Sequence, residues 1–411
     1  MYLCIDMRSF FASVECSIRG LNPLTVPLAV VDDRRGDGAL VMAATPALKE
    51  YGVKSRCRLY DIPKDIFFIR ARPRMKYYIL FARRIHEIFL RFVSMEDCFT
   101  YSIDESFLKI DDYVSIYGTP KAMALKIMAA LLDELGLYST CGAGDNMYLA
   151  KISLDIMAKK NHGYYYLTKE DFKRKLWDHT PITDFWMIAG GISSHLARLG
   201  IYTMRGIAEA PLGLLKKEFG VLGEEMQMHA YGEENVSIDM VLDYVPENKS
   251  LSKSQILFED YTKEEAWIPL LEMTYLLVIQ MCMADVDAKG LSFYVGYNHH
   301  TEVPGISKNI TFPNRLRDFM EIQKILKDSY QKYVHLGLIR SVSISFFGIK
   351  RIEARQLSLF YTENKRYISL TKAIGSIQEV YGKNAILPGI ALYEKSTLIF
   401  RNTCIGGHNG E

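Results

Sequence analysis

Three carboxylates stand where strand-like runs end: Asp6 after Tyr-Leu-Cys-Ile, and the adjacent pair Asp104 and Glu105 between two apolar runs. Acids like these do chemistry in company. If a strand over 2–6 lies beside a hairpin built from 99–103 and 106–110, the three converge despite the chain between them. Clustered carboxylates repel one another and raise each other's pKa until a cation neutralises them. An all-oxygen donor set favours Mg²⁺ over Zn²⁺. Two such ions can activate a hydroxyl while neutralising charge on a phosphate and its leaving group. Taken alone, however, an Asp-Glu dipeptide is more often a solvated turn, and an Asp closing a strand is often a cap. The surroundings must carry the argument.

At 411 residues, 49% hydrophobic and 24% charged, the chain is an ordinary globular composition with room for about three domains. Fifty basic residues against 48 acidic leave a net charge of +2, so the whole-chain field neither demands nor forbids a polyanionic partner. The seven cysteines show no Cys-x-x-Cys pair and read as reduced thiols. The most apolar stretch, 267–286, is interrupted by Pro269, Glu272 and Gln280, which suits a buried helix better than a bilayer span. The amino terminus meets an acid at its sixth residue and lacks the apolar core of a secretory signal, so a cytoplasmic location and no membrane partner are expected.

Strand and helix patterns alternate to about residue 165. A strand at 2–6 leads into a helix that Ser9 is placed to cap, and short strands at 28–31 and 39–44 precede a helix at 45–51. Helical spacing returns at 75–93, 119–135 and 146–160, the last two separated by a strand at 138–142. Residues 166–235 read as a small helical domain punctuated by glycines, and the polar run 246–254 reads as a linker, part of which can pair with the next sheet. Beyond it, strands at 292–297 and 340–347 with helices near 263–285 and 314–335 make an α+β domain.

The text around the acids is specific. Ile-Asp-Met-Arg-Ser-Phe-Phe-Ala-Ser-Val-Glu at 5–15 and Tyr-Ser-Ile-Asp-Glu-Ser-Phe-Leu at 101–108 closely resemble motifs of the Y-family translesion DNA polymerases, in the UmuC-like branch of Gram-positive chromosomes, plasmids and phages. The resemblance runs over nearly the whole chain. It implies an α+β multidomain, right-hand polymerase. The palm would be 1–20 and 75–165, the fingers 21–74, and the thumb, helical and helix-hairpin-helix-like, 166–235. A linker at 236–248, an α+β little finger at 249–350 and a C-terminal extension at 351–411 complete it.

By the same resemblance, Asp6, Asp104 and Glu105 are the catalytic metal ligands for two Mg²⁺ ions, joined by the main-chain carbonyl of Met7. Phe11 falls at the steric gate, where an aromatic ring excludes a 2′-hydroxyl, and Phe10 is the packing residue beside it in the nucleotide site. Lys49 and Lys159 are the candidate triphosphate contacts, with Lys160 an alternative to the latter because this segment carries one residue more than the commonest pattern. Lysine at position 49, where many relatives have arginine, keeps a point charge but loses the bidentate fork. Lys151, Gly190 and Gly191 are expected at DNA, the glycines gripping a primer phosphate through backbone amides, although Met187 and Ala189 stand where relatives usually carry glycine.

Gln356, Leu357, Ser358, Leu359 and Phe360 match the pentapeptide that docks on the bacterial sliding clamp. The implied partners are primer-template DNA, deoxyribonucleoside triphosphates and that clamp; a UmuD-like accessory protein is left open. The function implied is error-prone, template-directed DNA synthesis past damaged bases. The alternative is a non-catalytic relative that binds DNA and clamp as a scaffold, against which the intact acidic triad argues.

Overall fold

The computed structural model describes residues 1–32, 36–54, 56–246, 249–301, 303–352 and 364–410. Two compact units emerge, Met1–Tyr244 with His408–Glu411, and Val245–Gly407.

The first unit is organised by β1 (Tyr2–Met7), whose Leu3, Cys4 and Ile5 are wholly buried. It is followed by α1 (Phe10–Ile18), then β2 (Leu28–Val31), β3 (Val41–Ala44), α2 (Pro46–Lys49) and β4 (Ile69–Ala71), which form a small three-stranded α/β layer in the order β3-β2-β4. Thr45 caps α2 by accepting from the Leu48 amide, and Pro46 fits its first turn because that position has no intrahelical donor to lose. Ser9, by contrast, makes no cap: it sits in the left-handed region at φ 52° with its hydroxyl directed elsewhere.

Next come α3 (Met75–Phe89), β5 (Cys98–Thr100), β6 (Glu105–Lys109), α4 (Val114–Tyr117), α5 (Pro120–Leu135), β7 (Ser139–Gly144), α6 (Met147–Ile152) and β8 (Tyr164–Leu167). Their strands join β1 in one sheet of order β5-β6-β1-β7-β8, antiparallel except for the β7 and β8 pair. Gly142 and Gly144 on β7 face the helix so closely that a Cβ on either would overlap backbone atoms of the 149–154 segment. That contact lays α6 directly on the sheet. Beyond α6 the winding loosens into a π segment at Ser153–Met157 and then tightens into a 3₁₀ turn at Ala158–Lys160, so the single helix expected over 146–160 is broken in two places. A π turn accommodates one extra residue, which is what this segment carries.

Helices α7 (Lys169–Leu176), α8 (Gly190–Arg198), α9 (Met204–Glu209), α10 (Leu212–Phe219) and α11 (Val221–Ala230) share a core that includes Phe172, Phe185, Leu196 and Met226. Part of the stretch expected as a linker, 236–248, is helical: α12 (Ile238–Asp243) lies there, with Ile238 fully buried in a cluster with Cys4, Phe107 and Leu154. Ser237 caps that helix, and Ile238 is its buried residue.

The second unit is a four-stranded antiparallel sheet covered by helices. Its elements are β9 (Ser250–Tyr261), α13 (Lys263–Met283), β10 (Val286–Tyr297), β11 (Ile306–Leu316), α14 (Phe319–Tyr333) and β12 (Ile339–Phe347), in the order β11-β10-β12-β9. By length and composition α13 alone among the described residues would span a membrane, but 67% of its apolar window is buried in the fold, as befits a core helix. The C-terminal extension is not a separate appendage. Helix α15 (Lys365–Tyr381) packs on α13, where Gly375 leaves room for Ile279 and Met283. The fully buried carboxylate of Glu272 receives Ser396, Thr397 and Arg401.

Candidate active site

Strands β1 and β6 bring Asp6 and Glu105 to directly opposed positions of an antiparallel pair. Residues so paired share a face, with Cβ atoms about 4.5–5.5 Å apart. Asp104 lies one residue before β6, and its carbonyl accepts a 2.9 Å hydrogen bond from the Met7 amide, stitching the acidic turn to the end of β1. Ser102 Oγ donates to the Asp104 carboxylate at 2.8 Å. Burial lifts the Asp6 acid to about 7, the nearby Asp104 charge adds to this, and Lys159 works against it. Such an acid is short of positive charge.

These oxygens suit a hard divalent cation in type. Their arrangement is only part of a cage, because Glu105 is engaged elsewhere: Lys151 Nζ lies 2.7 Å from Oε1 and 2.8 Å from Oε2, and the Cys4 thiol donates to Oε1 at 3.1 Å. Among the described residues no group of three or more His, Cys, Asp or Glu side chains is disposed to hold a metal. Lys151, expected at DNA, has a side chain 10% exposed and bound to Glu105 and Asp155.

Phe10 is 3% exposed and belongs to the core. Phe11, partly exposed, stacks on Tyr78 with ring centroids 4.6 Å apart. Tyr78 is fully buried, and its hydroxyl donates to Glu15 at 2.9 Å. Glu15 also accepts a fork from Arg74 at 3.0 and 2.7 Å and a further bond from Arg19. Burial alone would raise the Glu15 acid, but the bonds from Arg74, Arg19 and Tyr78 outweigh it and hold that acid below its ordinary range. Neither Tyr78 nor Glu15 was singled out by sequence, although Glu15 closes the first quoted motif.

Lys49 reaches from α2 to Ser9, donating a 2.8 Å hydrogen bond to its hydroxyl. Burial and the charge of Lys159 lower its pKa, while Asp6 raises it. Lys159 itself is half exposed, 3.8 Å from Asp155, and its charge acts on both Asp6 and Lys49. Two lysines, Lys49 from α2 and Lys159 from the 3₁₀ turn, therefore lie close enough for their charges to act with that of Asp6.

Gly190 and Gly191 open α8 on an exposed surface, and a Cβ at either would meet nothing within 4 Å. Packing within the chain does not require them to be glycine. Met187 adopts φ 71°, the conformation that a glycine would take freely, with its side chain 41% exposed. The turn thus keeps its shape at a conformational cost of roughly 1–2 kcal/mol. Next to it, Trp186 Nε1 donates to the Tyr101 hydroxyl at 3.1 Å, tying this turn to the one that carries Asp104.

A polar surface went unrecognised in the sequence. On the sheet of the second unit, Ser345 is opposed to both Ser252 and Ser292, and Ser343 to Ser254, so serines from three strands share one face. The opposite face buries Val342, Ile344 and Phe346. The Ser-x-Ser alternation at 250–254 and 341–345 was its signal, half hidden because the first run looked like a linker. The pentapeptide at 356–360 lies outside the described residues.

The comparisons with known proteins agree with this layout. Residues 5–155 match the impB/mucB/samB family and residues 248–359 the C-terminal domain of that family. A protein of Bacillus subtilis (strain 168) named UvrX for UV-damage repair is 36% identical over 99% of this chain and 97% of its own length. The chain belongs to the Y-family of DNA polymerases, in its UmuC-like branch. DNA polymerase IV 2 of the same organism is 28% identical over 98% of this chain and 97% of its own. Among solved structures, a Y-family DNA polymerase chimera, Dbh-Dpo4(243-245)-Dbh, superposes with a TM-score of 0.64 at 17% identity, covering 85% of this chain and 99% of that one. This likeness places the multidomain polymerase fold.

Proposed function

We propose that this Y-family member is a DNA-directed DNA polymerase that performs error-prone synthesis past damaged template bases. The observation that carries the reading is the cross-strand opposition of Asp6 and Glu105 with Asp104 bound to the Met7 amide. Asp6, Asp104, Glu105 and the Met7 carbonyl would hold two magnesium ions, which supply activation of the attacking hydroxyl and charge neutralisation at phosphate. The primer 3′-hydroxyl attacks the α-phosphate of the incoming nucleotide, and pyrophosphate leaves. Lys49 and Lys159 receive the triphosphate as point charges flanking the acids. Phe11 lies beneath the sugar and excludes a 2′-hydroxyl by overlap.

Exposed backbone amides at Gly190 and Gly191 suit a primer phosphate, and the serine-lined sheet suits duplex backbone read without base contacts. Gln356 to Phe360 would dock on the sliding clamp, leaving a UmuD-like accessory as an optional partner. Synthesis on DNA supports a cytoplasmic location.

Primer extension on undamaged and abasic templates with Mg²⁺ tests the reading. Extension by the native protein, abolished by Asp104→Asn and by Glu105→Gln, is the expected result. DNA and clamp binding without extension by the native protein would establish the scaffold instead.

A further inference from the structure

The acids of the active site need positive charge, and the chain carries some of its own. Lys151 projects from α6 with its ammonium within 2.8 Å of both Glu105 oxygens. On its other side lies Asp155, 3.2 Å away, and beyond Asp155 comes Lys159 at 3.8 Å. Glu105, Lys151, Asp155 and Lys159 thus form a string of alternating charge.

Two features build this string. Glycines 142 and 144 let α6 lie on the sheet at backbone contact, which brings Lys151 onto Glu105. The π winding at Ser153–Met157 then places Asp155 where lysines from both sides reach it; π turns of this kind recur at functional sites. A buried lysine with a single carboxylate partner would be stranded if that partner left. Lys151 has a second partner already in place.

We propose that Lys151 is a resident counter-ion of the acid cluster: it holds Glu105 while no divalent cation is bound, and turns to Asp155 when one claims the carboxylate. This rests on the reading of Asp6, Asp104 and Glu105 as cation ligands. Two consequences follow from it. The cluster stays charge-balanced without metal, and cation affinity is set partly by a contest between lysine and metal for one side chain. Lys151 is therefore a positioning residue, acting through Glu105.

The test is binding of Mn²⁺, followed by electron paramagnetic resonance, to the full-length protein without DNA or nucleotide. Lys151→Met is expected to tighten binding about tenfold, and Lys151→Arg to stay near the native value, because it keeps the charge at Glu105. Glu105→Gln weakens binding by about 10–100-fold. In the Glu105→Gln background, Lys151→Met should change nothing further, since the object of the contest is gone. Equal tightening with and without Glu105 would reduce Lys151 to a distant charge and overturn the proposal. Unchanged or weaker binding by Lys151→Met overturns it too. Native, Asp104→Asn and Glu105→Gln proteins that all bind Mn²⁺ alike would instead remove the metal reading itself. If Lys151→Met does not fold by circular dichroism, Lys151→Gln carries the same comparison.

Discussion

The Phe11 ring lies against that of Tyr78, centroids 4.6 Å apart and planes 23° from parallel, while the Tyr78 hydroxyl is anchored to a carboxylate that two arginines hold in place. An aromatic ring used as a steric barrier works only if it cannot turn aside, and this stack supplies the stiffness.

Replacing Phe11 by Ala should therefore let ribonucleotides in. Discrimination between deoxyribonucleotides and ribonucleotides, read as a ratio of kcat/KM, is expected to fall by at least about tenfold. An unchanged ratio would take the barrier role from Phe11.

Glu15 makes a pH prediction with a definite sign. Its acid is held below the ordinary value of 4.5, so it binds fewer protons folded than unfolded over the acid range. The stability it contributes is complete above that ordinary value and is lost as pH falls through the lower folded one. At neutral pH, Glu15→Gln should cost about 3 kcal/mol by leaving Arg74 and Arg19 without their buried partner. Urea unfolding should show the gap between the two proteins narrowing as acid is added; a constant gap would contradict this.

Met187→Gly should relieve the left-handed strain while adding freedom to the unfolded chain, leaving stability within about 1 kcal/mol of native. Its effect on primer-template affinity is expected to be larger. Removing the side chain beside Gly190 opens the approach of a phosphate, so the Kd measured by fluorescence anisotropy should fall several-fold, and more so at low salt.

Changing Gln356 and Leu357 together to Ala should weaken clamp binding by at least about tenfold while sparing distributive synthesis on short templates. Surface plasmon resonance against immobilised clamp reads the first and gel-based extension the second. Equal clamp affinity would dismiss the pentapeptide.

The strands that carry Asp6 and Glu105 were legible because alternation and turn coincide there: Asp6 lies next to the end of β1, and Asp104 immediately precedes β6. What sequence did not reveal was set by long-range contact. Lys151 reads in the sequence as a DNA contact on a palm helix, and its pairing with Glu105 depends on two β7 glycines that bring that helix onto the sheet. Strand β9 was legible only in part: the Ser-x-Ser run at its start resembles a flexible connector as much as a strand, and pairing with β12 makes it a strand. Ser9 shows the same limit at short range, since a residue suited to capping instead takes a left-handed turn and accepts from Lys49.

Glu272 bears on how this protein is trimmed for experiment. Its carboxylate lies at 0% exposure on α13 and is satisfied by Ser396, Thr397 and Arg401, more than 120 positions later in the chain. A shortened version ending after β12 would strip that acid of every donor and uncover the flank of α13. Such a fragment should precipitate or unfold rather than behave as a smaller enzyme, so loss of activity on truncation would say nothing about a regulatory tail.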